Sequence, residues 1–351
     1  MKNIKIKALL ALSLFAMMFT GCTSEPGVKN DNAEQKITQE ENSSETAENK
    51  EEESKPSNEK DTGEKSAEKT PDKRPFIGMA FQELDNPYFV TMKESLEQAC
   101  GTMDMKYVIT DAAHDVSKQI SDVEDMVNQG IDILLLNPAD SSGIESAVET
   151  AKQAGVVVVC VDAQANGPVD SFVGSKNYDA GFMAGEQMAK DLDGKGKVAI
   201  LDGIPVVPIL ERVKGFKAAI AEYPEIEIVD IQNGKQERDK ALAVTENMIQ
   251  SNPDLNALFS VNDNGALGAL SAIDASGKDI ALYSVDGHPE AVEAISKGGN
   301  FKATSAQYPR DQVRIGLGIA LAKYWGSEVL PNEVPIDVNL ITKENAEGFS
   351  W

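Results

Sequence analysis

The chain has 351 residues and a formal charge of −24, with 57 acidic side chains against 33 basic ones. That acidity works against a phosphate-binding face for nucleic acid and against charge-driven docking on anionic lipid. Three cysteines exclude a disulfide framework, and two histidines leave little material for a histidine metal site.

Lys2, Lys5 and Lys7 precede an apolar run at 8–19, which ends in Phe19-Thr20-Gly21-Cys22. The run is short of the ~20 residues that span a bilayer and suits a signal peptide over 1–21. Small residues before a cysteine look like a bacterial lipobox. Cleavage before Cys22 and diacylglycerol on its sulfur would anchor the chain to the membrane, each buried CH₂ contributing ~0.8 kcal/mol. A conventional cleaved signal with an unmodified cysteine is the alternative. No later segment is apolar enough to span, so the rest of the chain is expected outside the cytoplasmic membrane.

After Cys22, residues 23–75 contain no aromatic side chain and are rich in Glu, Lys, Ser, Asn and Thr. Such a stretch buries too little apolar area to offset its chain entropy, so 22–75 is expected to be a lipidated cysteine followed by a disordered acidic tether. Cys100 and Cys160 lie in apolar neighbourhoods and read as small buried hydrophobes.

From residue 76, short β-branched runs alternate with helical patterns. The runs fall at 76–82, 106–110, 131–136, 156–161, 171–174, 197–201, 226–231, 257–261, 280–285 and 301–306. Helices are predicted between most of them, for example at 86–100, 117–129 and 208–222. Unbroken apolar runs such as Val156-Val157-Val158-Val159 suit strands buried on both faces. The alternation predicts an α/β fold of doubly wound parallel sheets with right-handed crossovers. Ten strands are many for one small sheet, so two lobes are expected, with a boundary near 175–177.

In open α/β sheets a ligand lies beyond the carboxyl ends of the strands. Those ends here carry Gln82, Asn86, Tyr88 and Phe89, then Asn137 and Asp140, then Asp162, Asp202 with Arg212 on the next helix, Asn262 and Asp263, Asp286, and Gln307. Carboxylates accept from vicinal hydroxyls, Arg donates a planar fork, amides do both, and aromatic faces cover C–H surfaces. The set suits a neutral polyol. The competing explanation is that Asp and Asn at strand ends cap the following helices.

Other chemistry is thinly represented. No nucleophile elbow or Walker loop occurs. Gly194-Lys195-Gly196-Lys197 precedes a strand, whereas a dinucleotide fingerprint must follow one. Asp191-Leu192-Asp193-Gly194 lacks the later ligands of a calcium loop. His114 reads as solvated or as a helix-start residue, and His288, two residues past Asp286, as a residue that can border the cleft. Asp162 and Asp286 could serve acid–base catalysis, but they would come from opposite lobes, which suits clamping better.

Over 76–351 the chain resembles the periplasmic ribose-binding protein family, the type I sugar-binding components of ABC importers. The segments carrying the resemblance are Asp85-Asn86-Pro87-Tyr88-Phe89, Leu135-Leu136-Asn137-Pro138-Ala139-Asp140, Val161-Asp162, Glu211-Arg212-Val213-Lys214-Gly215-Phe216, Val261-Asn262-Asp263, Ser284-Val285-Asp286-Gly287 and Ala306-Gln307-Tyr308-Pro309. It implies that Asn86, Asn262 and Gln307 bond hydroxyls, that Tyr88 and Phe89 pack on the sugar face, that Asp162 and Asp286 clamp, and that Arg212 donates a fork. Two positions depart: Ala163 stands where an arginine often follows the first clamp aspartate, and Val285 where an aromatic often precedes the second. Both changes would enlarge the pocket and leave a ribose-like pentose, a hexose or a cyclitol open.

The resemblance also implies a type I periplasmic binding protein fold with three hinge crossovers, near 175–177, 307–308 and 337–338. The amino lobe would then be 75–176 plus 308–337, and the carboxyl lobe 177–307 plus 338–351. It implies further a monomer that needs no cofactor or metal, closes on a monosaccharide without transforming it, and meets an ABC transporter permease at the membrane. A sensor handing a sugar or autoinducer to a membrane receptor keeps the fold and changes the output. A lactose-repressor-type regulator shares the fold, but the first 75 residues hold no helix-turn-helix.

Overall fold

The computed structural model describes residues 74–351. The expected signal peptide, the lipidated Cys22 and nearly all of the tether lie outside the described residues.

The first sheet collects β1 (Ile77–Phe81), β2 (Tyr107–Asp111), β3 (Ile133–Leu136), β4 (Val157–Val161) and β5 (Ser171–Ser175). Between these strands run α1 (Pro87–Met103), α2 (Val116–Asn128) and α3 (Glu145–Gln153). The chain then crosses to a second unit made of α4 (Asn177–Asp191), β6 (Lys195–Asp202), α5 (Val207–Ile220), β7 (Glu225–Asn233), α6 (Arg238–Ser251), β8 (Ala257–Ser260), α7 (Asp263–Ser276), β9 (Ala281–Asp286), α8 (Pro289–Lys297) and β10 (Phe301–Ala306). It returns through α9 (Pro309–Tyr324) and β11 (Glu333–Ile336), then crosses once more into β12 (Asn339–Thr342). The strand orders are β11-β5-β4-β3-β1-β2 and β12-β10-β9-β8-β6-β7. All pairs are parallel except β10 with β12. This is the type I periplasmic binding protein fold: two doubly wound parallel-sheet lobes.

The inner strands are apolar on both faces because helices cover both faces. Every residue of β1, β3 and β4 is buried. Each sheet therefore separates two apolar clusters: one around Met79, Leu135 and Val159 backed by another around Leu134, Val158 and Ile144 in the first lobe, and likewise in the second. Cys100 and Cys160 are free thiols in these layers, pushed up by burial to about 11 and about 12, which leaves them inert as nucleophiles.

Two strands were not expected from sequence. β11 reads Glu-Val-Pro-Ile and β12 Asn-Leu-Ile-Thr, four residues each and only partly buried. Each closes one edge of a sheet, and a proline is tolerated there because half of an edge strand's N–H groups face away from the ladder.

The three chain crossings lie side by side, the Tyr308 hydroxyl after the second accepting from Asn339 Nδ2 after the third. Lys176 N donates to Ile336 O at 2.9 Å, and Lys176 Nζ stands 2.5 Å from Asp337 Oδ1. Just past the first crossing, α4 packs on α5 with backbone almost touching backbone. A Cβ on Gly215 would sit 2.0 Å from the Tyr178 carbonyl oxygen, and one on Gly181 would sit 1.9 Å from that of Arg212. This close approach fixes where α5 presents Arg212. Gly215→Ala should force the helices apart and cost about 3 kcal/mol, a fall in melting temperature of roughly 10 °C by calorimetry.

Candidate functional site

The parallel order aims the carboxyl ends of β1, β3, β4, β6, β8, β9 and β10 at a common gap between the lobes. Gln82, Asn86, Tyr88, Phe89, Asp162 and Ala163 line it from the first lobe. Val206, Pro208, Ile209, Arg212, Gln236, Asn262 and Asp286 line it from the second, with Gln307 at the second crossing. The gap holds about 370 Å³ of space, counting the part continuous with solvent. All eight expected ligand-binding residues (Asn86, Tyr88, Phe89, Asp162, Arg212, Asn262, Asp286 and Gln307) meet in this one cavity, each buried.

Two of them also do what helix capping requires. Asn86 Oδ1 accepts from Tyr88 N at 3.1 Å at the start of α1, and Asn262 Oδ1 accepts from Gly265 N at 3.0 Å at the start of α7. In each carboxamide the oxygen is engaged locally while the residue still faces the gap.

The aspartates are the most constrained residues. Asp162 has φ 68° and Asp286 φ 140°, both in the region that favours glycine. Such residues cost on the order of 1–3 kcal/mol each and persist only where surrounding bonds hold them. Asp162 N donates to Val173 O at 2.9 Å, and the Asp286 carbonyl accepts from Gln307 N at 2.8 Å and from Trp351 Nε1 at 3.0 Å.

Their electrostatic surroundings differ. Arg212 Nη1 reaches Asp286 Oδ1 at 3.2 Å and Val261 O at 2.8 Å, while Arg212 Nε donates to Asn177 Oδ1 at 2.8 Å. Gln307 Nε2 donates to the same Asp286 Oδ1 at 2.7 Å, and Asp263 N, in the first turn of α7, donates to Asp286 Oδ2 at 3.2 Å. Burial raises the Asp286 carboxyl, and the Arg212 charge opposes that rise. Asn137 Nδ2 lies 3.3 Å from Asp162 Oδ2 and the Tyr88 hydroxyl also interacts with this carboxyl, and burial pushes it up to about 6 against the pull of Arg212. No protein donor reaches Asp162 Oδ1 or Gln307 Oε1, although both are buried.

Behind these residues lies a supporting layer. Asp263 does not line the cavity. Its carboxylate accepts from Thr304 Oγ1 at 2.8 Å, Gly287 N at 2.9 Å, His288 N at 2.7 Å and the Ser284 hydroxyl, and so fixes the turn after β9. Burial and the neighbouring Asp286 charge push it up to about 7. Asn137 joins the ends of three strands through Gln82 N and Val161 O. Asp140 shapes a turn by accepting from Ser142 N and Gly143 N, and Asp202 accepts from Gly203 N; neither lines the cavity. Ala163 faces the gap, whereas Val285 sits in the second lobe's apolar cluster beside Val261 and Tyr283, so only the first of the two departures widens the cavity.

The histidines lie just outside. His288 caps α8 through Nδ1, which accepts from Glu290 N at 3.0 Å, and burial lowers its pKa. His114 Nε2 stands 2.7 Å from Glu83 Oε2, with Asp85 nearby. Two ligands of one tetrahedral zinc ion stand about 3.3 Å apart, given bonds near 2 Å, so 2.7 Å reads as a hydrogen-bonded pair.

Sequence reading missed Gln236, Val206, Pro208, Ile209 and Trp351. Gln236 follows the carboxyl end of β7, and the strand-end rule would have found it had the run at 226–231 been extended to Asn233. Val206, Pro208 and Ile209 open α5 and give the gap an apolar wall. Trp351 lies far from any strand end in sequence and carried no signal.

A cavity of this kind, between two parallel-sheet lobes and lined by converging acids, amides and aromatic rings, defines a two-lobed solute-binding protein. Residues 77–326 match the family described as "Periplasmic binding protein domain", and the chain belongs to that family. It is 44% identical over 235 residues to the ribose import binding protein RbsB of Bacillus subtilis, covering 66% of this chain and 76% of that one. A periplasmic solute-binding protein of Actinobacillus succinogenes with bound D-allose superposes with a TM-score of 0.74 at 30% identity, covering 79% of this chain and all of that one. A Caulobacter myo-inositol binding protein bound to myo-inositol superposes with a TM-score of 0.73 at 31% identity, over 77% of this chain and 94% of that one.

The raised pKa of Asp162 gives a test of the site's electrostatics without ligand. A carboxyl shifted from 3.8 to about 6 binds its proton more tightly in the folded state, so its contribution to stability is full at low pH and is lost as pH rises through about 6. Asp162→Asn should therefore raise the melting temperature of the ligand-free protein at pH 7.5 and leave it unchanged at pH 4, as read by scanning fluorimetry across that range.

Proposed function

We propose that this chain is an extracytoplasmic solute-binding lipoprotein that captures an uncharged monosaccharide or cyclic polyol between its lobes and delivers it to the permease of an ABC importer. The observation that carries this reading is the pair of buried acceptors, Asp162 Oδ1 and Gln307 Oε1, that face one polar cavity and meet no protein donor. An unpaired buried acceptor costs ~1–3 kcal/mol. Sugar hydroxyls supply donors at both points.

The cavity lining supports the remaining roles. Asp162 and Asp286 accept from vicinal hydroxyls on opposite sides of the ring. Arg212, already held through Nε and Nη1, turns the rest of its fork to a ring or hydroxyl oxygen. Asn86 and Asn262 offer their amide nitrogens, because their oxygens cap helices. Tyr88 and Phe89, edge to face with centroids 5.4 Å apart, cover one apolar side of the sugar, and Val206 and Ile209 cover another. The reading is of capture without turnover: Asp286 is held in one orientation by Arg212, Gln307 and Asp263 N and faces Asp162 from the opposite lobe, which suits clamping.

The eight ligand-binding residues are buried, so a sugar reaches them when the lobes part. The moving bodies are 75–176 with 308–337 and 177–307 with 338–351, turning on the three adjacent crossings as a hinge. Acylated Cys22 would hold the monomer at the membrane, with the acidic tether letting it reach the permease. The similarity to ribose, allose and inositol binders supports the ligand class, and the small Ala163 in the lining supports a ligand that can be larger than a pentose.

Calorimetry against pentoses, hexoses, pentitols and cyclitols tests the reading. At least one should bind with a micromolar or tighter Kd, and Asp162→Ala or Asp286→Ala should weaken it more than 100-fold. Folded protein that binds none of them refutes it. For the anchor, Cys22→Ser should move the protein from the membrane pellet to the soluble fraction and abolish incorporation of labelled palmitate.

A further inference from the structure

The segment after β12 belongs to the second lobe. β12 pairs with β10, and Phe349 packs on that lobe's apolar cluster. Two residues later the chain changes sides. The Trp351 ring packs with the first lobe's apolar cluster, edge-on to Tyr88 with centroids 5.5 Å apart at 84°. The same ring meets His288 of the second lobe at 5.5 Å and 78°, and its Nε1–H donates to the Asp286 carbonyl at 3.0 Å. One side chain thus touches a cavity-lining aromatic of one lobe and the backbone of the clamp aspartate of the other.

Both partners are held from their own side. Tyr88 Oη accepts from Gln312 Nε2 at 2.9 Å, and Gln312 also donates to Ser175 Oγ at 2.8 Å, beside the first crossing. The Asp286 carbonyl has a second donor in Gln307 N, beside the second crossing. Trp351 is the piece that joins these two supported groups to each other across the gap.

We propose that Trp351 is an inter-lobe latch and a positioning residue for the sugar site. Its contact with Tyr88 exists only while the lobes are together, so it favours the closed form over the open one. Its hydrogen bond helps to hold Asp286 at φ 140°, and its ring backs Tyr88 against the cavity. Seated behind the site, it makes no claim on the ligand's own hydroxyls. This inference rests on the sugar-capture reading for its second half; the latch itself concerns the lobes alone.

The experiment uses Trp351→Ala and Trp351→Phe in the full-length protein, with two readouts. Small-angle scattering of the ligand-free protein reports the lobe equilibrium, and stopped-flow reports the off-rate of whichever sugar calorimetry identifies. Trp351→Ala should increase the radius of gyration of the ligand-free protein and raise the off-rate about tenfold, ~1.4 kcal/mol, with little change in on-rate. Trp351→Phe keeps the ring contact and loses the N–H donor, so it should fall between wild type and alanine; it decides the question if the alanine variant does not fold. Wild-type scattering together with an off-rate within twofold of wild type overturns the proposal while leaving sugar capture intact. Failure of every sugar to bind removes the capture reading, and the scattering comparison still decides the latch.

Discussion

The site depends on keeping two carboxylates buried at the carboxyl ends of parallel strands. Burial alone pushes both toward the neutral acid, and the two lobes oppose it to different degrees. Around Asp286 the second lobe assembles a guanidinium, a carboxamide and a helix N-terminal amide. Around Asp162 the first lobe supplies the Asn137 carboxamide and the nearby Tyr88 hydroxyl, and Oδ1 is left without a protein hydrogen bond. The first is an ion pair whose carboxylate keeps room for a further donor; the second carries an oxygen that no protein group satisfies. On the proposed reading the arrangement would select its ligand, because any molecule that fills the space without donating at that oxygen leaves it uncompensated.

The fold supplies the stiffness that this arrangement needs. Both aspartates occupy backbone conformations that a free chain avoids, and each is held by bonds from neighbouring strands or segments distant in sequence. Arg212 reaches Asp286 because α4 and α5 touch through glycines, a distance that any side chain at Gly181 or Gly215 would enlarge. Asp263 adds four acceptor contacts behind the site without facing it, so part of the acidic cluster at the strand ends is scaffold rather than surface. A carboxylate count from sequence cannot separate these two uses, because both place an acid just after a strand.

The parallel-sheet architecture was legible because fully buried strands leave unbroken apolar runs, and β1, β3 and β4 show them plainly. The eight residues brought into the cavity were legible because the carboxyl ends of such strands converge in any doubly wound sheet. Capping and cavity-facing roles proved compatible in Asn86 and Asn262, since a carboxamide has two ends. The short edges β11 and β12 were illegible: four half-exposed residues, one of them proline, carry no periodicity, and only a neighbouring strand makes them strands. Gln236 was lost to an error of two residues at the end of β7. Strand alternation turns Val285 into the core beside Asp286, so its side chain does not shape the cavity.

By itself the sequence determined the layer structure, the positions of the strand ends and the chemistry gathered there, since each follows from local hydrophobic pattern and residue type. Tertiary structure alone decided which acid is scaffold and which faces the gap, how closely α4 and α5 approach, and that Trp351 comes to lie against Tyr88, 263 positions earlier in the chain. Those outcomes depend on backbone-to-backbone distances and on contacts between segments remote in sequence, and no local pattern encodes a distance between elements that meet only once the chain has folded.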